Sequence, residues 1–231
     1  MTDATPTVPS AILFDVGDTL LREVRFDLEA GLRAALPDGL HAAATDIAHG
    51  FRADLHAAHA DHRELMLPSW LRDHVAELHD VDEAQVEDAI WAAVVTLRPT
   101  RGVSELLDRL QADGVKMGAI SNAFFSGRVL RLELERHGLA NAFEFVLSSA
   151  DIGIRKPDVR IFHEALDRLG AAAEHTWYVG DTFEEDVEGA LRAGLVPIWL
   201  RADAADRDVV LPVRQLHDWI ELAHLYATTA V

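Results

Sequence analysis

Ala11-Ile12-Leu13-Phe14-Asp15-Val16-Gly17-Asp18-Thr19 is a short apolar run that stops abruptly on an acid. Four consecutive apolar residues bounded by polar ones predict a strand buried on both faces. Further runs of this kind follow at Lys116–Ile120, Phe143–Leu147, Thr176–Val179 and Val196–Leu200. Helical spacing fills the intervals between them. Val103, Leu106, Leu107 and Leu110 share one helix face before Gly114, and Ile161, Phe162, Ala165, Leu166 and Leu169 share another before Gly170. Val129–Leu134 before His137-Gly138, and Val187–Leu191 before Gly194, repeat the pattern with glycine where a C-terminal cap belongs. From Val103 onward, helix and strand alternate. That order predicts an α/β fold: a parallel sheet covered by helices on both faces.

The first strand stands apart from this alternation. Roughly Arg22 to Thr96 carries Ala, Leu, His and acids at helical spacing, with no convincing strand. A structureless loop of that length is implausible in a compact domain. The expectation is a helical cap over 22–96, inserted into a discontinuous core of 1–21 and 97–231. Pro37-Asp38-Gly39 and Pro68-Ser69 read as turns within the cap, and Arg98–Gly102 as the return linker. Arg201–Asp208 reads as a solvated surface loop.

Composition narrows the function. The chain has 231 residues, 21 Lys and Arg against 39 Asp and Glu, a net charge of -18 and no cysteine. Disulfide scaffolds, thiolate metal sites and a catalytic cysteine are excluded. A nucleic-acid partner is not expected, because gripping phosphates needs a basic face. Met1–Ser10 has neither a basic start nor an apolar run, and no stretch approaches the roughly 20 residues that span a bilayer. The expectation is a cytoplasmic protein without a membrane partner, monomeric or homodimeric.

Chemistry in open parallel sheets gathers at the carboxyl ends of strands. Four polar clusters fall there: Asp15–Thr19, Ser121-Asn122, Arg155-Lys156-Pro157-Asp158 and Gly180-Asp181 through Asp186. Each residue taken singly could be a cap, a turn or a solvated side chain. Their ordered occurrence is what points to a site. Converging Asp15, Asp181 and Asp186 would repel one another, and Lys156, one of only two lysines in the chain, supplies a single positive charge. A divalent cation is implied, and oxygen-only donors favour Mg2+. Carboxylates, a hydroxyl donor, a lysine and Mg2+ make a phosphoryl-transfer site.

These motifs resemble those of the haloacid dehalogenase-like hydrolases. The resemblance covers Phe14–Leu20, Ile120-Ser121-Asn122, Arg155–Asp158 with Ile161-Phe162, and Val179-Gly180-Asp181 with Asp186. It implies a Rossmann-like three-layer α/β/α core with a helical cap inserted after the first strand. It implies that Asp15 is the nucleophile of an Mg2+-dependent phosphatase acting on a small phosphate monoester through an aspartyl-phosphate. Ser121 and the Asn122 backbone would hold phosphoryl oxygens, and Lys156 would neutralise Asp15 and the phosphoryl charge. Asp15, the Gly17 carbonyl and Asp181 would hold the metal, with Asp186 binding it or orienting its waters.

The sequence departs from the family at Gly17, where phosphatases carry a second Asp as general acid/base. Asp18, one residue later, is either its stand-in or a turn carboxylate bonding local N–H groups. The alternative activities are 2-haloacid dehalogenation and a low-activity binding or regulatory role. His56, His59, His62 and Arg63 read either as an anion-contacting cluster or, more economically, as a surface helix face. Trp70 and Trp91 read as cap core.

Overall fold

The computed structural model describes residues 8–200 and 213–229. The Arg201–Asp208 segment lies outside them. Strand β1 (Ala11–Asp15) is buried along its whole length, as its run of apolar residues demands. It is followed by β2 (Leu21–Phe26) and helices α1 (Leu28–Ala35), α2 (Ala44–His59), α3 (Leu67–His74) and α4 (Glu83–Val94). The chain returns through β3 (Val95–Pro99) to α5 (Val103–Ala112), β4 (Lys116–Ser121), α6 (Gly127–Arg136), β5 (Phe145–Ser148) and α7 (Ser149–Ile152). Then come α8 (Val159–Leu169), β6 (Thr176–Gly180), α9 (Gly189–Arg192), β7 (Val196–Leu200), β8 (Arg214–Leu216) and α10 (Trp219–Thr229).

Among the described residues, six strands pair in the order β5-β4-β1-β6-β7-β8, all parallel. The sheet is the parallel α/β core expected, and β1 lies inside it between β4 and β6. This places Asp15, at the end of β1, between the ends of two flanking strands. On one face, Ile12, Phe14 and Met117 join the core that continues through Leu106, Leu107 and Trp219. On the other, Leu13, Ile120 and Tyr178 pack against Ile161, Phe162 and Ala165 of α8. The alternation of these side chains follows from the two-residue period of a strand.

The reading of 22–96 as strandless is corrected by β2 and β3, which form a two-stranded antiparallel ribbon carrying the chain into and out of the helical segment. The return linker is likewise partly strand, since Arg98 and Pro99 close β3. The ribbon escapes a periodicity test because both of its faces are wet. Leu21-Arg22-Glu23-Val24-Arg25-Phe26 is exposed after its first residue, so no apolar alternation marks it. Helices α1 and α4 begin on side-chain caps, Asp27 accepting from the Ala30 N–H and Asp82 from the Gln85 N–H. Trp91 is buried in the helical segment, whereas Trp70 is half-buried and stacks on His74.

Candidate active site

The β1 strand ends on Asp15, β4 on Ser121 and β6 on Gly180, and Lys156, from the segment after α7, reaches Asp15, so all four polar clusters meet at the same edge of the sheet. Asp15, Ser121, Asn122, Asp181 and Asp186 line one cavity of about 190 Å³, together with Gly17, Asp18, Thr182 and Glu185. One carboxylate oxygen from each of Asp15, Asp181 and Asp186 lies within 4.8 Å of the others.

Lys156 is almost wholly buried beneath this cluster. Its Nζ donates to Asp15 Oδ1 at 2.7 Å, to Asp186 Oδ1 at 2.6 Å and to the Tyr178 hydroxyl at 2.9 Å. Three partners use all three ammonium protons, so the amine is fixed in place. Its backbone is clamped as well. The Asn122 carboxamide accepts from the Lys156 N–H at 2.8 Å and donates to the Lys156 carbonyl at 3.0 Å. The Asn122 side chain is therefore spent on positioning Lys156, which leaves its backbone as the part that can face a ligand.

Asp186 is held just as firmly. The Tyr178 hydroxyl also donates to its Oδ1, and its Oδ2 accepts from the Thr182 N–H at 2.9 Å. A π-helical turn over Phe183–Glu188 brings the carboxylate back against β6. A Cβ at Gly180 would collide with the Asp186 carboxylate, so glycine is required there for close approach. Both oxygens of Asp186 are thus engaged by the protein. Asp181 is different: its carboxylate has one long contact, 3.4 Å from the Thr182 hydroxyl, and no ion pair among the described residues.

The electrostatics reflect three acids sharing one lysine. Burial, reinforced by Asp186 and Asp181, pushes Asp15 up to about 8 despite the opposing pull of Lys156. Burial and the neighbouring Asp186 push Asp181 up to about 6. Burial would lower Lys156, but Asp15 and Asp186 outweigh it and hold the amine well above its usual range. The cluster therefore lacks positive charge. Its free donors are oxygen only, at Asp15 and Asp181, and this set fits a hard divalent cation such as Mg2+.

A pH dependence follows. An acid whose pKa is raised by folding binds more protons in the folded than in the unfolded chain, so stability falls as pH rises through the shifted range. Asp181 contributes this loss up to about 6 and Asp15 up to about 8. Thermal unfolding in EDTA should show Tm falling from pH 5 to pH 8, and the increment from added Mg2+ should be larger at pH 8. An equal increment at both pH values would count against a metal held by these carboxylates.

Asp18 sits at the rim in a left-handed backbone conformation, φ 53°, and its Oδ1 accepts from the Glu23 N–H at 3.3 Å. That is the contact of a turn carboxylate. Gly17 has open space around it, with nothing within 4 Å of a notional Cβ.

Several neighbours gave no sequence signal. Tyr178 reads as ordinary strand core. Glu185 lines the cavity and pairs with Arg155 at 2.9 Å. Arg155 also lies 3.7 Å from buried Glu64, which accepts from the Ser149 hydroxyl and contacts His59 at 3.0 Å. Backbone bonds from Glu64 to Gly153 and from Arg155 to His62 strap the helical segment onto the core beside the site. His56 and His62 are exposed, and none of His56, His59 and His62 lines the cavity.

The model of the haloacid dehalogenase-like hydrolases matches residues 9–194. The chain belongs to this family. A glyceraldehyde 3-phosphate phosphatase from Methanopyrus kandleri is 31% identical over 205 residues, 83% of each chain. A ribulose-1,5-bisphosphate 5-phosphatase from Halopiger xanaduensis is 28% identical and covers 80% of this chain and 82% of its own. Among solved structures, a 2-haloacid dehalogenase from Pseudomonas syringae pv. tomato superposes with a TM-score of 0.67 at 26% identity, over 94% of this chain and 98% of that one. The proteins that this chain resembles are named for different reactions, so the reaction has to be argued from side chains.

Proposed function

We propose that the protein is a phosphatase that hydrolyses small phosphate monoesters through Asp15, with Mg2+ held by Asp15, Asp181 and the Gly17 carbonyl. The observation that carries this reading is the surplus of carboxylate at the cavity: two acids remain uncompensated after Lys156 is counted. The names of the two phosphatase relatives agree with it. We also propose the division of the chain into a core of 1–21 and 97–231 and a cap of 22–96.

Bound Mg2+ would offset the charge of the phosphoryl oxygens and allow a dianion to approach Asp15. Asp15 attacks phosphorus opposite the ester oxygen. The Asp15–P bond forms as the P–O ester bond breaks, and the ester oxygen leaves with the bonding pair and takes its proton from solvent water. Water then attacks phosphorus, releasing inorganic phosphate and restoring the carboxylate. Lys156 steadies Asp15 and the charge it carries, and Ser121 with the Asn122 N–H contacts the phosphoryl oxygens. Asp186 acts as a positioning residue for Lys156, because both its oxygens are engaged by the protein.

The leaving group would lie across Gly17 in an adjoining cavity of about 340 Å³, walled by Phe26, Trp91, Leu97 and Phe124. The position of the second acid in the family's phosphatases is Gly17, and the one acid in the described lining, Glu23, stands on the exposed β2 strand. Protonation of a leaving oxygen contributes about 10²–10⁴-fold. Good leaving groups should therefore be favoured. Because space at Gly17 is open, Gly17→Asp should raise turnover of alkyl phosphates by about tenfold or more and leave p-nitrophenyl phosphate nearly unchanged. Steady-state kinetics on both esters checks this. A loss on both would show that the position tolerates no carboxylate.

The missing second Asp and the apolar cavity keep 2-haloacid dehalogenation as the second reading. A panel of phosphate monoesters and 2-haloacids, with Mg2+ and with EDTA, separates the two. Phosphate release that needs Mg2+ is expected, and halide release in EDTA would reverse the assignment.

A further inference from the structure

We infer that a second cavity, bounded by Arg22, Arg98 and Arg101, binds a phosphate group distinct from the one brought to Asp15. The cavity measures about 440 Å³. Arg22 and Arg98 stand directly opposite each other in the register of the β2–β3 ribbon. Like charges in that position destabilise a strand pair. In a chain of net charge -18, such a pair would be easily relieved by a carboxylate, yet none of these three guanidiniums forms an ion pair among the described residues.

The two acids in the cavity wall each have one oxygen engaged by backbone, and neither pairs with these arginines among the described residues. Asp18 accepts from the Glu23 N–H, and Asp218 accepts from the N–H groups of Ile220 and Glu221 at the start of α10. Three planar donor forks at one cavity suit a tetrahedral oxyanion, which guanidinium binds in pairs of parallel bonds. The volume leaves room for a small organic group attached to it.

The location gives the site a consequence. The ribbon carries the chain between the sheet and helices α1–α4, and Asp18 lies in the walls of both this cavity and the one at Asp15. A phosphate bridging Arg22 and Arg98 ties the two ribbon strands together at that junction. Its source is either the distal phosphate of a bisphosphorylated substrate or a free phosphate-bearing molecule.

The test begins with calorimetric titration of inorganic phosphate into the whole protein in EDTA. Without metal the cavity at Asp15 lacks the cation that would receive a phosphate, and the arginine variants show whether the binding seen lies in the second cavity. One saturable site is expected, weakened at least about tenfold in Arg22→Gln/Arg98→Gln. Thermal unfolding in phosphate-free buffer shows that the variant is folded, and Arg101→Gln, outside the ribbon, provides the same loss should the double variant fail. Absence of saturable binding, or unchanged affinity in the folded variants, would overturn the inference. Turnover with Mg2+ then names the source. A KM raised only for a bisphosphorylated sugar, against its monophosphate, marks the substrate's distal phosphate. Monophosphate kinetics altered by free phosphate beyond simple competition, in wild type alone, marks a separate ligand. Both patterns need the phosphoryl-transfer reading, whereas the titration in EDTA does not.

Discussion

Replacing Asp15 by Asn should remove turnover of p-nitrophenyl phosphate by at least about 10⁴-fold, the scale of losing a covalent nucleophile. Asn keeps the shape of Asp and can still accept from Lys156 Nζ through its carbonyl oxygen. It cannot form the bond to phosphorus. The fold should persist and even gain. Burial and two neighbouring acids hold Asp15 up to about 8, so near neutral pH the metal-free protein must take up a proton there to fold, which costs stability. A neutral Asn removes that cost, so it should raise Tm in EDTA and reduce the Tm increment from Mg2+. Activity assays beside circular-dichroism melts check both parts. Residual turnover within tenfold of wild type would show that another group attacks.

Lys156→Ala is expected to damage fold and function together. The amine is buried and joined to two carboxylates and a tyrosine hydroxyl. Breaking a buried ion pair by removing one partner typically costs about 3–5 kcal/mol, because the other charge is left without compensation. Here two partners are abandoned, although uptake of a proton by Asp15 limits the loss. Lys156→Met retains most of the side-chain volume, so the gap in stability between Ala and Met variants reports packing, and the loss common to both reports charge. Denaturant melts should show the common loss larger at pH 8 than at pH 5, since Asp15 and Asp181 are protonated at the lower pH. Neither variant should turn over substrate at a measurable rate. A Met variant as stable as wild type at pH 8 would mean that the three carboxylates do not depend on this charge.

The sheet was legible because its strands are buried on both faces, which forces continuous apolar runs such as Ala11–Phe14 and Thr176–Val179. The strand-end acids could be read for the same reason: a charged residue that closes such a run must lie at the edge. Gly180 and Asp186 were legible as a motif, but their collision-close packing was not. The β2–β3 ribbon was hidden by exposure on both sides. β8, three partly exposed residues, offers too short a pattern to register. Long-range partners were hidden for a different reason. Nothing in local sequence says that Asn122 clamps the Lys156 backbone, that Tyr178 shares a proton network with Lys156, or that Glu64 reaches Ser149 across 85 positions. Such contacts depend on which elements become neighbours, and only the tertiary fold decides that.

The central claim is that Asp15 becomes covalently phosphorylated in a site completed by a divalent cation. Rapid acid quenching during turnover of a phosphate monoester, followed by mass mapping of peptides, tests it most directly. One phosphoryl group on the peptide bearing Asp15 is predicted with Mg2+, and none with EDTA. Continued release of phosphate with the Asp15 peptide unmodified, or labelling at another residue, would contradict it.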